Sequence, residues 1–279
     1  MKVKAYAKIN LLLKVLKKDK SGYHKIFTVM QQVNLFDEIT FLKLRSPGLK
    51  LKIIGSEKNK LSISRNNTII KAFNILQEKY PSLKKAGLKI VLKKNIPVTA
   101  GLGGGTSDAI ATIKAINNLY DLKISPRKFQ NLACKIGMDG PFFLKGGLAA
   151  GTHFGEKMSQ FKGSPNLLKK IKSSLKHTLL FLPKNSRKIS TANAYELLSA
   201  VPKSKTSPKS QVNEQLFEND FDLLYQKQIA SFKKELSKFN ILLMQVSGAG
   251  PAMFVAFKSK KNMKQAQQKL KSKGKVWEI

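Results

Sequence analysis

The stretch Pro97-Val-Thr-Ala-Gly-Leu-Gly-Gly-Gly-Thr-Ser-Asp108 constrains this chain more than any other. Before it, residues 87–96 (GLKIVLKKNI) are short and rich in apolar and β-branched side chains, which predicts a strand. After it, Ala109, Ile110, Ile113, Ile116, Leu119 and Tyr120 recur at helical spacing. Thr106, Ser107 and Asp108 suit a helix N-terminus, where free backbone N–H groups and the positive end of the dipole favour an anion. Gly101, Gly103, Gly104 and Gly105 can take positive φ and carry no Cβ, so the backbone can wrap closely around a polyphosphate. No Lys follows these glycines, as the Walker pattern requires, and Thr106 stands where the dinucleotide fingerprint needs its third Gly. The plain alternative is a turn that only joins a strand to a helix. Glycine costs roughly 0.5–1 kcal/mol relative to Ala inside a regular element, so three in a row favour the phosphate cradle and with it nucleotide binding.

With 279 residues the chain can bury one large core or two ordinary ones, and 42% hydrophobic against 24% charged residues is a globular balance. No run approaches the ~20 apolar residues of a membrane span. The apolar residues 9–13 contain Asn10 and lie between Lys8 and Lys14, so they read as a strand of a cytoplasmic protein rather than a signal peptide. The single cysteine, Cys134, rules out an internal disulfide or cysteine metal cluster and sits in an apolar helical segment as a small core residue. The formal charge of +36 invites a nucleic-acid function. Against it, only Arg45, Arg65, Arg127 and Arg187 are arginines among 52 basic residues, and the lysines are spread along the chain. A lysine-biased composition explains the charge, and leaves only nonspecific, salt-sensitive binding to nucleic acid as an expectation.

The pattern predicts strands over 3–16, 27–33, 38–44 and 49–54, with turns at Ser21-Gly22, at Asn34-Leu-Phe-Asp37 and at Ser46-Pro-Gly48. A helix is predicted over 67–80, and another opens at Ser125-Pro126 and ends near Gly137. Beyond Phe142, apolar segments alternating with glycines predict further strands. Later come a strand over 177–183, a helix over 191–200, a Pro-, Ser- and Lys-rich loop over 201–212, and helix over 212–239, as one helix or two. Strands over 242–247 and 252–257, a basic helix over 260–273 and a last strand with Trp277 end the chain. A boundary near 155–175 predicts two domains, 1–155 and 156–279. Helices and strands mix without strict alternation, so the predicted class is α+β.

Four more stretches carry candidate chemistry. In Ala7-Lys8-Ile9-Asn10 a strand puts Lys8 and Asn10 on one face, although in so basic a chain a lysine on a solvated face is the commoner case and Lys8 alone is weak evidence of chemistry. Gly137-Met-Asp-Gly-Pro-Phe-Phe143 places Asp139 in a turn between a helix and an apolar strand. Turn chemistry alone explains many such residues, yet this chain has only 16 acids. Ser21-Gly-Tyr-His24 sets Tyr23 beside His24 at a turn, and Ser247-Gly-Ala-Gly-Pro251 is either an ordinary hairpin or a second glycine turn over phosphates. His153 and His177 have no partner pattern and read as structural.

Taken in order, AKIN with DKSGYH, IPVTAGLGGGTSDAIA, GMDGPFFLKGGLAAGTHFGE and SGAGPAMF resemble the GHMP kinase superfamily over nearly the whole chain. The AKIN, SGYH and D-x-P-F-F segments resemble its branch acting on a cytidine-diphosphate-linked methylerythritol in the non-mevalonate isoprenoid pathway. The resemblance implies an α+β, two-domain architecture with the active site in the cleft between the domains, and an enzyme that moves the γ-phosphoryl of ATP to a tertiary alcohol. It implies that Pro97, Val98, Thr99, Ala100, Gly101, Leu102, Gly103, Gly104, Gly105, Thr106 and Ser107 hold ATP, with Asn67 and Lys94 by the adenine. Asp139 would accept or orient the alcohol's proton, Lys8 would favour charge on that carboxylate and on the attacking oxygen, and Asn10 would position the acceptor. Tyr23, His24 and Tyr195 would hold the cytosine, His24 reading its edge. Mg²⁺ is implied, with Thr106 or Ser107 as its protein ligand. The implied partner is a small cytidine diphosphate substrate, with no specific nucleic acid, no membrane, and a monomer or homodimer as the working form. Met138, Gly140, Thr106 and Ala249 depart from the family's usual residues around these positions.

Overall fold

The computed structural model describes residues 1–186, 189–200 and 216–279. In chain order its strands are β1 (Lys2–Lys18), β2 (His24–Leu44), β3 (Gly48–Ile54), β4 (Gly87–Lys93), β5 (Leu148–Thr152), β6 (Lys157–Gln160), β7 (Thr178–Pro183), β8 (Glu218–Asn219), β9 (Ile241–Val246), β10 (Met253–Phe257) and β11 (Gly274–Glu278). The helices are α1 (Thr68–Lys79), α2 (Gly104–Leu119), α3 (Pro126–Ile136), α4 (Gly140–Lys145), α5 (Pro165–Leu175), α6 (Thr191–Ser199), α7 (Gln226–Glu235) and α8 (Lys260–Lys271). None of these helices is long and apolar enough to cross a membrane.

The chain forms two compact units, each assembled from separated stretches: Met1–Ala7, Gln32–Val98 and Gly103–Gly146 in the first, and Lys8–Gln31, Thr99–Leu102 and Gly147–Ile279 in the second. In the first, β4 pairs antiparallel with β2 (Ile39↔Leu92, Phe41↔Ile90) and parallel with β3 (Leu51↔Ile90). Alternate residues Leu35, Asp37, Ile39 and Phe41 of β2 and Leu88, Ile90 and Leu92 of β4 are buried, the period a strand imposes. Helices α1 and α2 pack together and bury Ile69, Phe73 and Leu76, and Ile110, Ile113 and Ile116.

In the second unit, the sheet order β11-β7-β10-β9 places β7 and β10 centrally. All five residues of β10, and all of β7 but Leu182, are buried, which explains their unbroken apolar sequence. Leu179, Phe181, Ala194, Leu198, Phe221, Ile229, Met263 and Leu270 join the sheet to α6, α7 and α8 in one core. The first strands also contribute here, since β1 meets β8 in parallel (Leu12↔Glu218) and β2 meets β5 antiparallel (Thr28↔Gly151).

Several expectations need correction. Asn34-Leu-Phe-Asp37 is not a turn, because β2 runs unbroken from His24 to Leu44. Asp37 is buried, and its Oδ1 accepts from the backbone N–H groups of Asn95 (2.6 Å) and Ile96 (2.9 Å), so the polar residue is satisfied inside the strand. The apolar stretch after Asp139 is the short helix α4, with Pro141 in its first turn, rather than a strand. Helix α5 was not expected at all, although Ser164-Pro165 repeats the Ser125-Pro126 opening and Ser164 accepts from Leu167 N. The helix expected over 212–239 is instead β8, a 3-10 turn over Asp220–Leu224, α7 and a second 3-10 turn. Asn219, Asp220 and Asp222 spend their side chains on the backbone of Phe221, Val15 and Val246, which competes with helix there. The loop expected over 201–212, and residues 213–215, lie outside the described residues.

Candidate active site

Helix α2 starts two residues before Thr106, at Gly104, with Gly103 as its N-cap at φ +69°. Thr106 and Ser107 therefore lie in its first turns and Asp108 deeper, where its carboxylate meets the Lys94 ammonium at 2.7 Å. Positive φ is used at Gly101 (+80°) and Gly103 but not at Gly104 or Gly105. Gly104 is needed for room instead: a Cβ there would lie 2.9 Å from Ile96 Cγ2 and 3.1 Å from Lys94 Nζ. Helices α1, α3, α5, α6 and α8 open on Asn67, Ser125, Ser164, Ser190 and Ser259, whose side chains accept from the first turn. Helix α2 opens on a glycine with no side-chain cap, as an anion-binding N-terminus does.

The middle of the loop, Thr99–Leu102, belongs to the second unit. There Leu102 O accepts from Lys8 N (3.1 Å), Ala100 O from Ala252 N (3.3 Å), and Gly101 O from Ser247 Oγ (3.1 Å). The second glycine turn thus packs on the first loop and is more than a hairpin link. Three side chains hold that turn: Asn219 Nδ2 donates to Val246 O and Gly248 O, both at 2.9 Å, Tyr225 Oη donates to Ala249 O at 2.9 Å, and Asp222 accepts from Val246 N at 2.8 Å. No local pattern marked these residues in advance.

Burial pushes the Asp222 carboxyl up to about 7, against the bond from Val246 N and the charge of Lys233. A carboxyl raised in the folded state holds a proton that the unfolded chain gives up between about pH 4 and 7, so stability falls as pH rises through that window. Asp222→Asn keeps an acceptor for Val246 N–H and removes the charge. Urea melts are expected to show the variant more stable than the parent by about 1–4 kcal/mol at pH 8 and nearly equal to it at pH 4. Equal stability at pH 8 would mean that Asp222 ionises there without cost.

Lys8 and Asn10 are buried, 3% and 2% exposed, rather than solvated. Lys8 Nζ donates to Asn10 Oδ1 at 2.6 Å, and Asn10 Nδ2 donates to Thr28 Oγ1 at 2.9 Å. Both residues belong to the second unit, and Asp139 to the first. Asp139 is the N-cap residue of α4 in helical conformation, and its side chain makes no cap bond to α4. A Cβ on Gly140 would sit 2.1 Å from the Ala133 carbonyl, so only glycine lets α4 approach α3 this closely.

Two residues suggested for ATP are tied into the first unit. The Lys94 ammonium, 2% exposed on its side chain, is held by both Asp37 and Asp108. Burial opposes its charge, yet these two carboxylates raise its pKa, while burial pushes Asp108 well above the usual carboxylate range. Asn67 caps α1, accepting from Ile69 N at 3.0 Å and donating to Ser62 O at 3.0 Å. The long apolar stem of Lys94 and its place after β4 disguised a buried cation.

The structure brings His24 and Tyr195 together, with rings stacked 5.7 Å apart and 15° from parallel. Tyr23 is 63% exposed and meets Phe154 instead, centroids 5.8 Å apart. His24 Nδ1 lies 2.9 Å from Leu16 O and Nε2 2.8 Å from Ser199 Oγ, so both ring nitrogens are engaged. The Leu16 carbonyl only accepts, so Nδ1 carries a proton, and a base edge presented to Nε2 would compete with Ser199. Of the two structural histidines, His153 bonds Glu156 at 2.5 Å.

Residues 67–147 match the GHMP kinases N terminal domain, and residues 209–276 the GHMP kinases C terminal domain. A protein of Caldanaerobacter subterraneus subsp. tengcongensis named 4-diphosphocytidyl-2-C-methyl-D-erythritol kinase is 31% identical, over 97% of this chain and 93% of its own. One of the same name from Caldicellulosiruptor bescii is 33% identical, over 97% of this chain and 94% of its own. The fold matches a crystal structure of 4-(cytidine 5'-diphospho)-2C-methyl-D-erythritol kinase with a TM-score of 0.78 at 24% identity, covering 99% of this chain and 97% of the other. On the glycine loop, both domain matches and relatives aligned over nearly their whole length, the chain belongs to the GHMP kinases, in the family of the 4-diphosphocytidyl-2-C-methyl-D-erythritol kinases.

Proposed function

We propose that this kinase transfers the γ-phosphoryl of ATP to the 2-hydroxyl of 4-diphosphocytidyl-2-C-methyl-D-erythritol in the non-mevalonate isoprenoid pathway. The observation that carries the proposal is the name shared by relatives 31–33% identical over 97% of the chain. The residues are suited to the chemistry, because phosphoryl transfer asks a protein mainly for alignment and charge stabilisation. The first-turn N–H groups of α2, capped by no side chain, suit a phosphate, and the stretch from Pro97 to Ser107 is assigned to the triphosphate. Asp139 is assigned the proton of the acceptor alcohol, Lys8 the charge growing on the attacking oxygen, and Asn10 the placing of the acceptor. Asn67 and Lys94 are left a supporting role, shaping the neighbourhood of the loop rather than bonding the nucleotide through their tied side chains.

Mg²⁺ would neutralise the triphosphate charge. Among the described residues no group of three or more His, Cys, Asp or Glu could hold a metal, which fits an ion carried mainly by phosphates and water. The half-buried Thr106 hydroxyl suits it better than that of Ser107, which is 4% exposed.

Tyr23, His24 and Tyr195 are assigned to the cytosine. A base on the Tyr195–His24 stack gains about 1–3 kcal/mol per aromatic contact, so Tyr195→Ala is expected to raise KM for the cytidine substrate by roughly 5–150-fold with a smaller change in kcat. Steady-state kinetics on cytidine and uridine forms of the acceptor check this. A variant with altered stability and unchanged KM would make Tyr195 a core aromatic only.

A further inference from the structure

We propose that Thr28 is a positioning residue for phosphoryl transfer, which decides which way round the Asn10 amide lies and through it where the Lys8 ammonium points. The proposal rests on the assignment of Lys8 to the reacting oxygen. Hydrogen-bond chemistry leaves one arrangement. The Thr28 hydroxyl has a single proton, and the Leu12 carbonyl 2.8 Å away can only accept, so the proton goes there. The Thr28 oxygen must then accept from Asn10, and the amide atom 2.9 Å from it has to be the NH₂ group. That turns Asn10 Oδ1 to Lys8 Nζ, 2.6 Å away, where an acceptor is required because an ammonium only donates. With the amide reversed, N–H groups would face the ammonium.

Burial gives this order its force. Lys8, Asn10 and Thr28 are 3%, 2% and 0% exposed, so water does not repair a mismatch cheaply. The backbone beneath is braced as well, since buried Gln245 donates to Asn10 O at 2.9 Å. Opposite Thr28 in β5 stands Gly151, where a Cβ would come 3.1 Å from Thr28 Cγ2. The room left there takes the Thr28 methyl, while the hydrogen bonds to Leu12 and from Asn10 fix the hydroxyl itself. Thr28 thus acts on the reaction only through Asn10.

The test is steady-state kinetics of the whole protein with ATP and the cytidine acceptor. Thr28→Val keeps the shape and removes the hydroxyl. It is expected to lower kcat about 10–100-fold, the cost of a misplaced reacting group, with KM for ATP within about 3-fold. Thr28→Ser is expected to restore kcat to within about 3-fold, and Thr28→Ala, tolerated for size, to repeat the loss if the Val variant fails to fold. In a Lys8→Met background, Thr28→Val is expected to add less than about 2-fold, because the two act as one unit. A Thr28→Val or Thr28→Ala enzyme with normal kcat, a Ser variant without recovery, or a full additional loss in the Lys8→Met background would overturn the positioning role. Normal kcat in Lys8→Met alone would instead remove Lys8 from the reaction, and Thr28 with it.

Discussion

Replacing Asp139 by Asn is expected to lower kcat by about 10²- to 10⁴-fold, the usual worth of a general base, while ATP binding and the thermal midpoint stay close to the parent's. Asp139 makes no side-chain cap bond to α4, so the amide leaves the cap of that helix as it is. The backbone around it is fixed by other means: Gly140 lies against the Ala133 carbonyl, and Pro141, Phe142 and Phe143 are buried. Asn fills the same volume and accepts hydrogen bonds, but it does not take up a proton at neutral pH. Loss confined to kcat would therefore report chemistry rather than folding. A near-normal kcat in the purified variant would take Asp139 out of the mechanism and leave the turn as a structural feature.

Gly101→Ala is expected to weaken ATP binding by at least about 10-fold and to lower stability by about 2–4 kcal/mol. Two costs combine. Gly101 sits at φ +80°, where an L side chain is strained, and a Cβ there would lie 2.0 Å from the Ser247 carbonyl oxygen. That oxygen belongs to the second glycine turn, itself pinned by Asn219 and Tyr225, so it has little freedom to retreat. Gly147 separates the two costs, having φ +68° with nothing within 4 Å of a built Cβ. Gly147→Ala should show the backbone strain alone, about 1–2 kcal/mol, with ATP affinity unchanged. Calorimetric titration of both variants decides the matter. A folded Gly101→Ala protein with the parent's ATP dissociation constant would mean that the glycines serve only the turn.

How far the sequence could be read depended on the range of the interactions involved. The strand, glycine loop and helix around Gly101 were legible because apolar period and glycine run are local signals. Thr106, Ser107 and Asp108 marked the N-terminal end of α2, but the cap itself is Gly103, which ends the loop by taking a left-handed φ that no pattern of side chains announces. Asp37 was read as turn punctuation for a similar reason. Its partners Lys94, Asn95 and Ile96 lie more than fifty residues away and turn a polar strand position into a buried anchor. Helix α4 is six residues long, too short for a period to show. Helix α5, in contrast, carried the same Ser-Pro opening that had been used for α3, and so was legible and overlooked. Among the site residues, Lys8, Asn10 and His24 stood out by family pattern, but Thr28, Asn219, Ser199 and Tyr225 act through partners remote in sequence, which only the fold brings to them.

Acceptor choice tests the central claim most directly. The purified protein, ATP and Mg²⁺ are offered 4-diphosphocytidyl-2-C-methyl-D-erythritol, its uridine counterpart, homoserine and mevalonate in separate reactions, and ADP formation is followed alongside the phosphorylated product. The expected result is ATP-dependent turnover of the cytidine compound, a lower kcat/KM for the uridine form, and no turnover of homoserine or mevalonate above the rate without acceptor. Turnover of homoserine or mevalonate without turnover of the cytidine compound would contradict the assignment and make this chain a GHMP kinase of another specificity.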